Sequence, residues 1–330
     1  MYFKHQTLVL NIPLIIIGFF LLNRGAGMLV DGASSIARKF KFPETMVGFT
    51  IVALGTALPK FFTNIIAVMN GYNDLFLGNI IGSGIVNLLG IIGLVGLNRS
   101  MRATRYTVFI GFPIAILSTF LVYILSNNLF LFKTNEATPD LDFNDGIYLL
   151  IAFVLFMTYA YFNVKKNHTI WFTKDTEESE FYPFVFAVIL VVVGVVGSYA
   201  GAILVVDNLI DLSRKYDISQ RFLGQFILSV GGSLAMFWWT KNFKINQTRF
   251  EISQLLGTNL LYLLGILGTC AIIAPIPFNI RYNLDLFLLI ITNIVMILLL
   301  LIGRKLSINL WKSKVLVFLF LVYITYLFVR

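Results

Sequence analysis

Apolar residues run along this chain in long blocks, and the polar residues fall into short intervals between them. A block of about 20 apolar residues is what an α-helix needs to cross a bilayer. Ten such blocks are legible, roughly at 8–29, 45–69, 75–97, 105–126, 146–164, 182–206, 221–240, 251–273, 283–303 and 312–329. The longest polar intervals, Asn127 to Asp145 and Lys165 to Tyr182, are too short to bury a core of their own and read as surface loops. The pattern predicts an all-α integral membrane protein with ten transmembrane helices and no separate soluble domain. The first block is too long for a signal-peptide core and lacks a small-residue cleavage site after it, so it is expected to stay as a helix.

Composition agrees, with 58% hydrophobic and only 12% charged residues among 330, too apolar for one water-soluble core. The net charge of +9 does not indicate a nucleic-acid partner, because the basic residues sit in short interhelical loops without interleaved aromatics. They report topology instead. With the N-terminus outside, the inside loops hold Arg38, Lys39, Lys41, Arg99, Arg102, Arg105, Lys165, Lys166, Lys174, Lys241, Lys244, Arg249, Arg304, Lys305, Lys312 and Lys314. Only Lys4, Lys133, Arg214, Lys215, Arg221, Arg281 and Arg330 fall outside, so the positive-inside rule places both termini outside. The expected location is the cytoplasmic membrane of a prokaryote. The single cysteine, Cys270, allows no internal disulfide and fits no metal-site spacing. His5 and His168 lie outside the expected spans, and no serine, histidine and acid set is present to run hydrolysis, so no enzyme is expected.

The chain also repeats itself. At an offset of 176, Gly25, Ala26, Val30, Asp31, Arg38 and Lys39 meet Gly201, Ala202, Val206, Asp207, Arg214 and Lys215, and Gly48, Ile51, Gly55, Leu58 and Phe61 meet Gly224, Ile227, Gly231, Leu234 and Phe237. At 175, Gly82, Leu88, Leu89, Gly90, Ile91 and Gly93 meet Gly257, Leu263, Leu264, Gly265, Ile266 and Gly268. The expected halves are a first repeat over 1–165, a short inside loop over 166–181 and a second repeat over 182–330. Five helices per copy is an odd number, so the second copy enters the membrane from the opposite side, giving inverted repeats. Arg214 and Lys215 lie outside because their partners Arg38 and Lys39 lie inside.

In each copy the second helix carries helix-weakening residues, Gly55 and Pro59 in one and Gly231 and Gly232 in the other. Paired breaks of this kind mark transport sites, because freed backbone groups must line protein or a watery cavity. Packing kinks are the plainer alternative. Lys60 falls in mid-membrane beside the first break, where a charge is costly and by default functional. Three roles are open to it: its ammonium occupies the place of a bound cation and titrates, it attracts an anionic substrate, or it is a structural charge in a protein that does not transport.

The runs Val30 to Ala33, Gly48 to Pro59 and Gly78 to Ser83 resemble the first α-repeat of the calcium/cation antiporter superfamily, of the sodium/calcium exchanger type. Gly224 to Leu234 and Leu256 to Asn259 are similar to its second repeat, though eroded. The resemblance implies a sodium- or proton-coupled calcium exchanger with ions held between the second, third, seventh and eighth helices. Carried over position by position, the cavity comprises Thr56, Lys60, Asn79, Ser83 and Asn87 from the first copy and Ser233, Met236, Gln254, Thr258 and Asn259 from the second. Lys60 and Met236 stand where the family has glutamates, so a calcium site lacks the carboxylates that this ion usually takes. No cofactor is expected; calcium, sodium or protons are candidate cargo. The partners are the lipid bilayer and a small inorganic ion or solute. The reading is a cation antiporter working by alternating access through a non-standard ion site. The alternatives are a carrier of an anionic or other solute on the same fold and a non-transporting scaffold or regulator.

Overall fold

A computed structural model describes residues 2–40, 53–127, 140–167, 182–233, 251–303 and 305–329. Met236 and nearly all of the 166–181 loop lie outside the described residues. Among the described residues there are ten helices: α1 (Tyr2–Lys39), α2 (Ala53–Met69), α3 (Asn73–Asn98), α4 (Thr107–Ser126), α5 (Phe143–Asn167), α6 (Phe184–Tyr216), α7 (220–233), α8 (251–273), α9 (Arg281–Leu301) and α10 (Leu310–Val329). Eight of them, all but α2 and α7, are long and apolar enough to span a bilayer. One helix coincides with each apolar block, so the protein is an all-α integral membrane protein of ten helices.

The helix breaks are corrected. α2 is helical without interruption from Ala53 to Met69 with Pro59 inside it, and α7 is helical through Gly231 and Gly232. A proline removes only its own ladder bond and a glycine costs about 1 kcal/mol, so the flanking turns hold. The α-ladder departs from regularity elsewhere. Wide π turns occupy Val86–Ile91 in α3 and Leu261–Ile266 in α8, positions that differ by 175, and a further one occupies Leu223–Leu228 in α7.

Chain contacts divide the protein into two compact units, Met1–Ala67 with Tyr161–Gln220, and Val68–Ala160 with Arg221–Arg330; each draws on both repeats. In the first unit α1 and α6 lie antiparallel, with backbones touching. Gly18, Gly25 and Gly32 recur every seven residues on α1, and Ala187, Gly194 and Gly201 do so on α6. A Cβ at Gly194 would lie 2.6 Å from the Gly25 carbonyl oxygen, and one at Gly201 would lie 2.7 Å from that of Gly18. Lipid gives no hydrophobic drive between helices, so small residues that admit close backbone contact supply the packing. The two contacts exchange under the offset of 176. Midway between them Ser198 Oγ approaches the carbonyl oxygen of Leu22, its repeat partner, at 3.5 Å. A local two-fold axis therefore runs through this helix pair.

In the second unit α3 is enclosed along nearly its whole length. It crosses α7 at glycines: a Cβ at Gly82 would lie 2.7 Å from Gln225 Cα, and one at Gly224 would overlap the Leu75 carbonyl. α3 meets α10 at Gly93, against Val317 and Leu316, while the repeat partner Gly268 brings α8 against Gly146 of α5. Two short antiparallel ladders, β1 (Met101–Arg102) with β4 (Ser307–Ile308) and β2 (Asp140–Leu141) with β3 (Ile276–Pro277), repeat the same relation in the connections. Inverted duplication is thus built into the packing of each unit.

Candidate functional site

Three polar rows emerge from the sequence by helical spacing. On α3, Asn79, Ser83 and Asn87 recur every four residues; on α7, Gln225, Ser229 and Ser233 do the same; α8 contributes Gln254, Thr258 and Asn259. Steps of four place side chains on one helix face, and in the second unit these rows face one another across the glycine crossings. Asn79, Ser83, Asn87 and Ser229 are completely buried, and Gln225, Ser233, Thr258 and Asn259 nearly so.

Burying amides and hydroxyls requires that they bond to each other. Ser233 Oγ donates to Asn87 Oδ1 at 3.0 Å, Asn87 Nδ2 donates to Asn259 Oδ1 at 2.8 Å, and Asn259 Nδ2 donates to the Gly84 carbonyl oxygen at 3.1 Å. Gly84 and Asn259 are repeat partners, so this chain of amides lies on the local two-fold of the second unit. A second group forms one turn away. Ser83 Oγ donates to Asn79 Oδ1 at 3.2 Å, and Ser229 Oγ reaches the Gly224 carbonyl at 2.8 Å and that of Asn79 at 3.2 Å. Thr258 Oγ1 turns back onto the Gln254 carbonyl of its own helix at 2.8 Å. Asn87 lies within the π turn of α3, and its repeat partner Tyr262, also buried, lies within that of α8. Such insertions re-aim side chains and concentrate at functional positions.

Among the expected cavity residues the structure therefore joins Asn79 with Ser83, and Asn87 with Ser233 and Asn259, all in the second unit. Thr56 and Lys60 belong to the first unit. Lys60 is buried in α2, one turn before Thr63, whose hydroxyl bonds the Pro59 and Lys60 carbonyls at 3.1 Å each. For Gly55 and Thr56 the structure describes the helical backbone. Gln225 and Ser229 are additions that the duplication hid, because their repeat partners Phe49 and Ala53 are apolar; the four-residue spacing on α7 was the available signal.

Every polar atom in these rows is neutral, and among the described residues no group of three His, Cys, Asp or Glu side chains could hold a metal ion. Amide and hydroxyl oxygens are ligands for hard cations, but they bring no charge to offset one.

A fold of ten helices in inverted repeats, with buried polar rows meeting at the crossing of the third, seventh and eighth helices, defines the secondary-transporter class. The family model described as sodium/calcium exchanger protein matches residues 10–162 and 186–329, and the chain belongs to that family. CaxA of Alkalimonas amylolytica is 29% identical over 79% of this chain and 80% of its own length. The sodium/calcium exchanger MaX1 of Methanosarcina acetivorans is 30% identical over 47% of this chain and 40% of its own. Crystals of the sodium-calcium exchanger NCX_Mj soaked with sodium and strontium give a TM-score of 0.61 at 22% identity, covering 96% of this chain and 98% of that one, which shows the shared fold.

Proposed function

We propose that the protein exchanges small cations across the membrane by alternating access, through a site in which the Lys60 ammonium stands where the family pattern has a carboxylate. The observation that carries this reading is the buried chain Ser233, Asn87, Asn259 and the Gly84 carbonyl, an oxygen-rich row at the helix crossing of a sodium/calcium exchanger family member. Electrostatics then selects the ion. Two unit charges about 5 Å apart interact by about 3 kcal/mol at an effective dielectric of 20, and a divalent ion feels twice that repulsion from an ammonium. A monovalent cation is the favoured cargo, with the lysine charge replacing one bound cation. The orientation proposed from the loop charges is both termini outside.

The test is flux in vesicles. Protein reconstituted with sodium inside should take up a second labelled cation against the sodium gradient, and Asn87→Ala should abolish the uptake. Gradient-independent or absent cation flux overturns the proposal.

A second reading is favoured by one observation: Lys60 is buried, and none of the ten cavity positions is acidic. An anionic solute would then be the cargo, and the same vesicles would take up labelled anion in a Lys60-dependent manner.

A further inference from the structure

The largest charged cluster in the second unit lies away from the amide rows, where α3, α7 and α9 begin. Arg221 on α7 forms an ion pair through Nη2 with Asp285 Oδ2 on α9, with the carboxylate side chain wholly buried and the guanidinium side chain 13% exposed. The same nitrogen donates to the Arg281 carbonyl at 3.2 Å. Tyr326 Oη of α10 donates to Asp285 Oδ1 at 3.3 Å, and the guanidinium lies 4.8 Å from the Tyr282 ring centroid. Tyr282 Oη in turn donates to the carbonyl and carboxylate oxygens of Asp74 on α3, at 2.8 and 3.1 Å. Four helices thus meet on one buried pair.

Arg221 is also the first member of the α7 polar row, four residues before Gln225, eight before Ser229 and twelve before Ser233. In an ideal α-helix a four-residue step overshoots one turn by about 40°, so a row this long would wind off the face. The π turn at Leu223–Leu228 is wider and takes up the overshoot, keeping Arg221 in line with the serines. The Arg221 backbone is fixed as well, since a Cβ at Gly78 of α3 would lie 2.7 Å from its carbonyl oxygen. One residue therefore sets the rotation and the height of α7. The repeat partners of Arg221 and Asp285 are Thr45 and Ile110, so the first copy carries no matching pair.

We propose that the Arg221–Asp285 pair is a positioning clamp that fixes the rotation of α7, and with it the placement of Ser229 and Ser233 against Asn79 and Asn87. The role assigned to those serines rests on the reading above, but the test reads the register of α7 itself and needs no transport. Cys270 is the sole cysteine, so Ser233→Cys on a Cys270→Ser background carries a single reporter thiol. Its alkylation rate by N-ethylmaleimide is measured in vesicles.

Arg221→Gln and Asp285→Asn should each raise the rate about tenfold or more by freeing α7 from its register. The double variant Arg221→Gln with Asp285→Asn, which retains a neutral hydrogen-bonding pair, should return it most of the way to the parental value. Single variants that keep their helicity and elution volume with an unchanged rate overturn the proposal, since the pair would then only add stability. If the single variants do not fold, Arg221→Lys decides, because it keeps the charge and loses the planar fork. A raised rate supports the clamp and a parental rate overturns it.

Discussion

Two corners of the second unit occupy equivalent places in the duplicated fold and are held by different chemistry. Where α3, α7 and α9 begin, the corner is charged: Arg221, Asp285 and Asp74, tied together by Tyr282 and Tyr326. Where α4 and α8 begin, it is neutral. Thr104 Oγ1 and Thr107 Oγ1 lie 2.7 Å apart, Thr107 bonds Ser253 of α8, and Tyr106 stacks on Tyr159 at 6.2 Å between ring centroids. Thr107 is the repeat partner of Tyr282, and Tyr159 corresponds to Tyr326 in the register that relates β2 to β4. Backbone symmetry has outlasted side-chain symmetry. The consequence is mechanical: losing half of a buried ion pair strands a charge, whereas losing a hydroxyl contact strands a small dipole that membrane helices readily satisfy otherwise.

The largest effect is therefore expected from Asp285→Asn, which leaves Arg221 without its counter-ion. Unfolding free energy in detergent should fall by about 3 kcal/mol, and adding Arg221→Gln should restore more than half of the loss. Gly224→Ala tests the crossing between the charged corner and the amide rows. Its methyl would overlap the Leu75 carbonyl and drive α3 and α7 apart, at a cost of about 2 kcal/mol in the same assay. Asn259→Ala removes the central link between Asn87 and the Gly84 carbonyl; about 1 kcal/mol should be lost, with a fall in vesicle flux far larger than the stability change explains. Thr107→Val at the neutral corner should cost only about 0.6 kcal/mol. A Thr107→Val loss equal to that of Asp285→Asn would erase the contrast between the corners.

The ten helices were legible because lipid imposes length and apolarity on each, and those demands leave an unambiguous mark in the sequence. Inversion was legible too, from paired glycines such as Gly25 with Gly201 and Gly82 with Gly257, since positions where backbones touch tolerate nothing larger. Helix irregularity was not. Gly55, Pro59, Gly231 and Gly232 suggested breaks, yet the ladder runs through them, and the π turns fall at Val86–Ile91 and Leu261–Ile266, where no residue type signals them. A π turn needs one extra residue in the ladder rather than a special side chain, so tertiary packing decides it. The polar rows were half legible: Asn79, Ser83, Asn87, Ser233 and Asn259 followed from the family pattern, whereas Gln225 and Ser229 lacked polar repeat partners. Arg221 read only as an outside charge, because its partner Asp285 is 64 residues away on another helix.

The central claim is that Lys60 and Met236 convert a carboxylate-bearing calcium site into one suited to smaller charge. Titration calorimetry of purified protein with calcium, on the parent and on a Lys60→Glu, Met236→Glu variant, tests it most directly. The account predicts calcium binding at least about a hundredfold tighter in the variant than in the parent. Equal calcium affinity in the two proteins would contradict it.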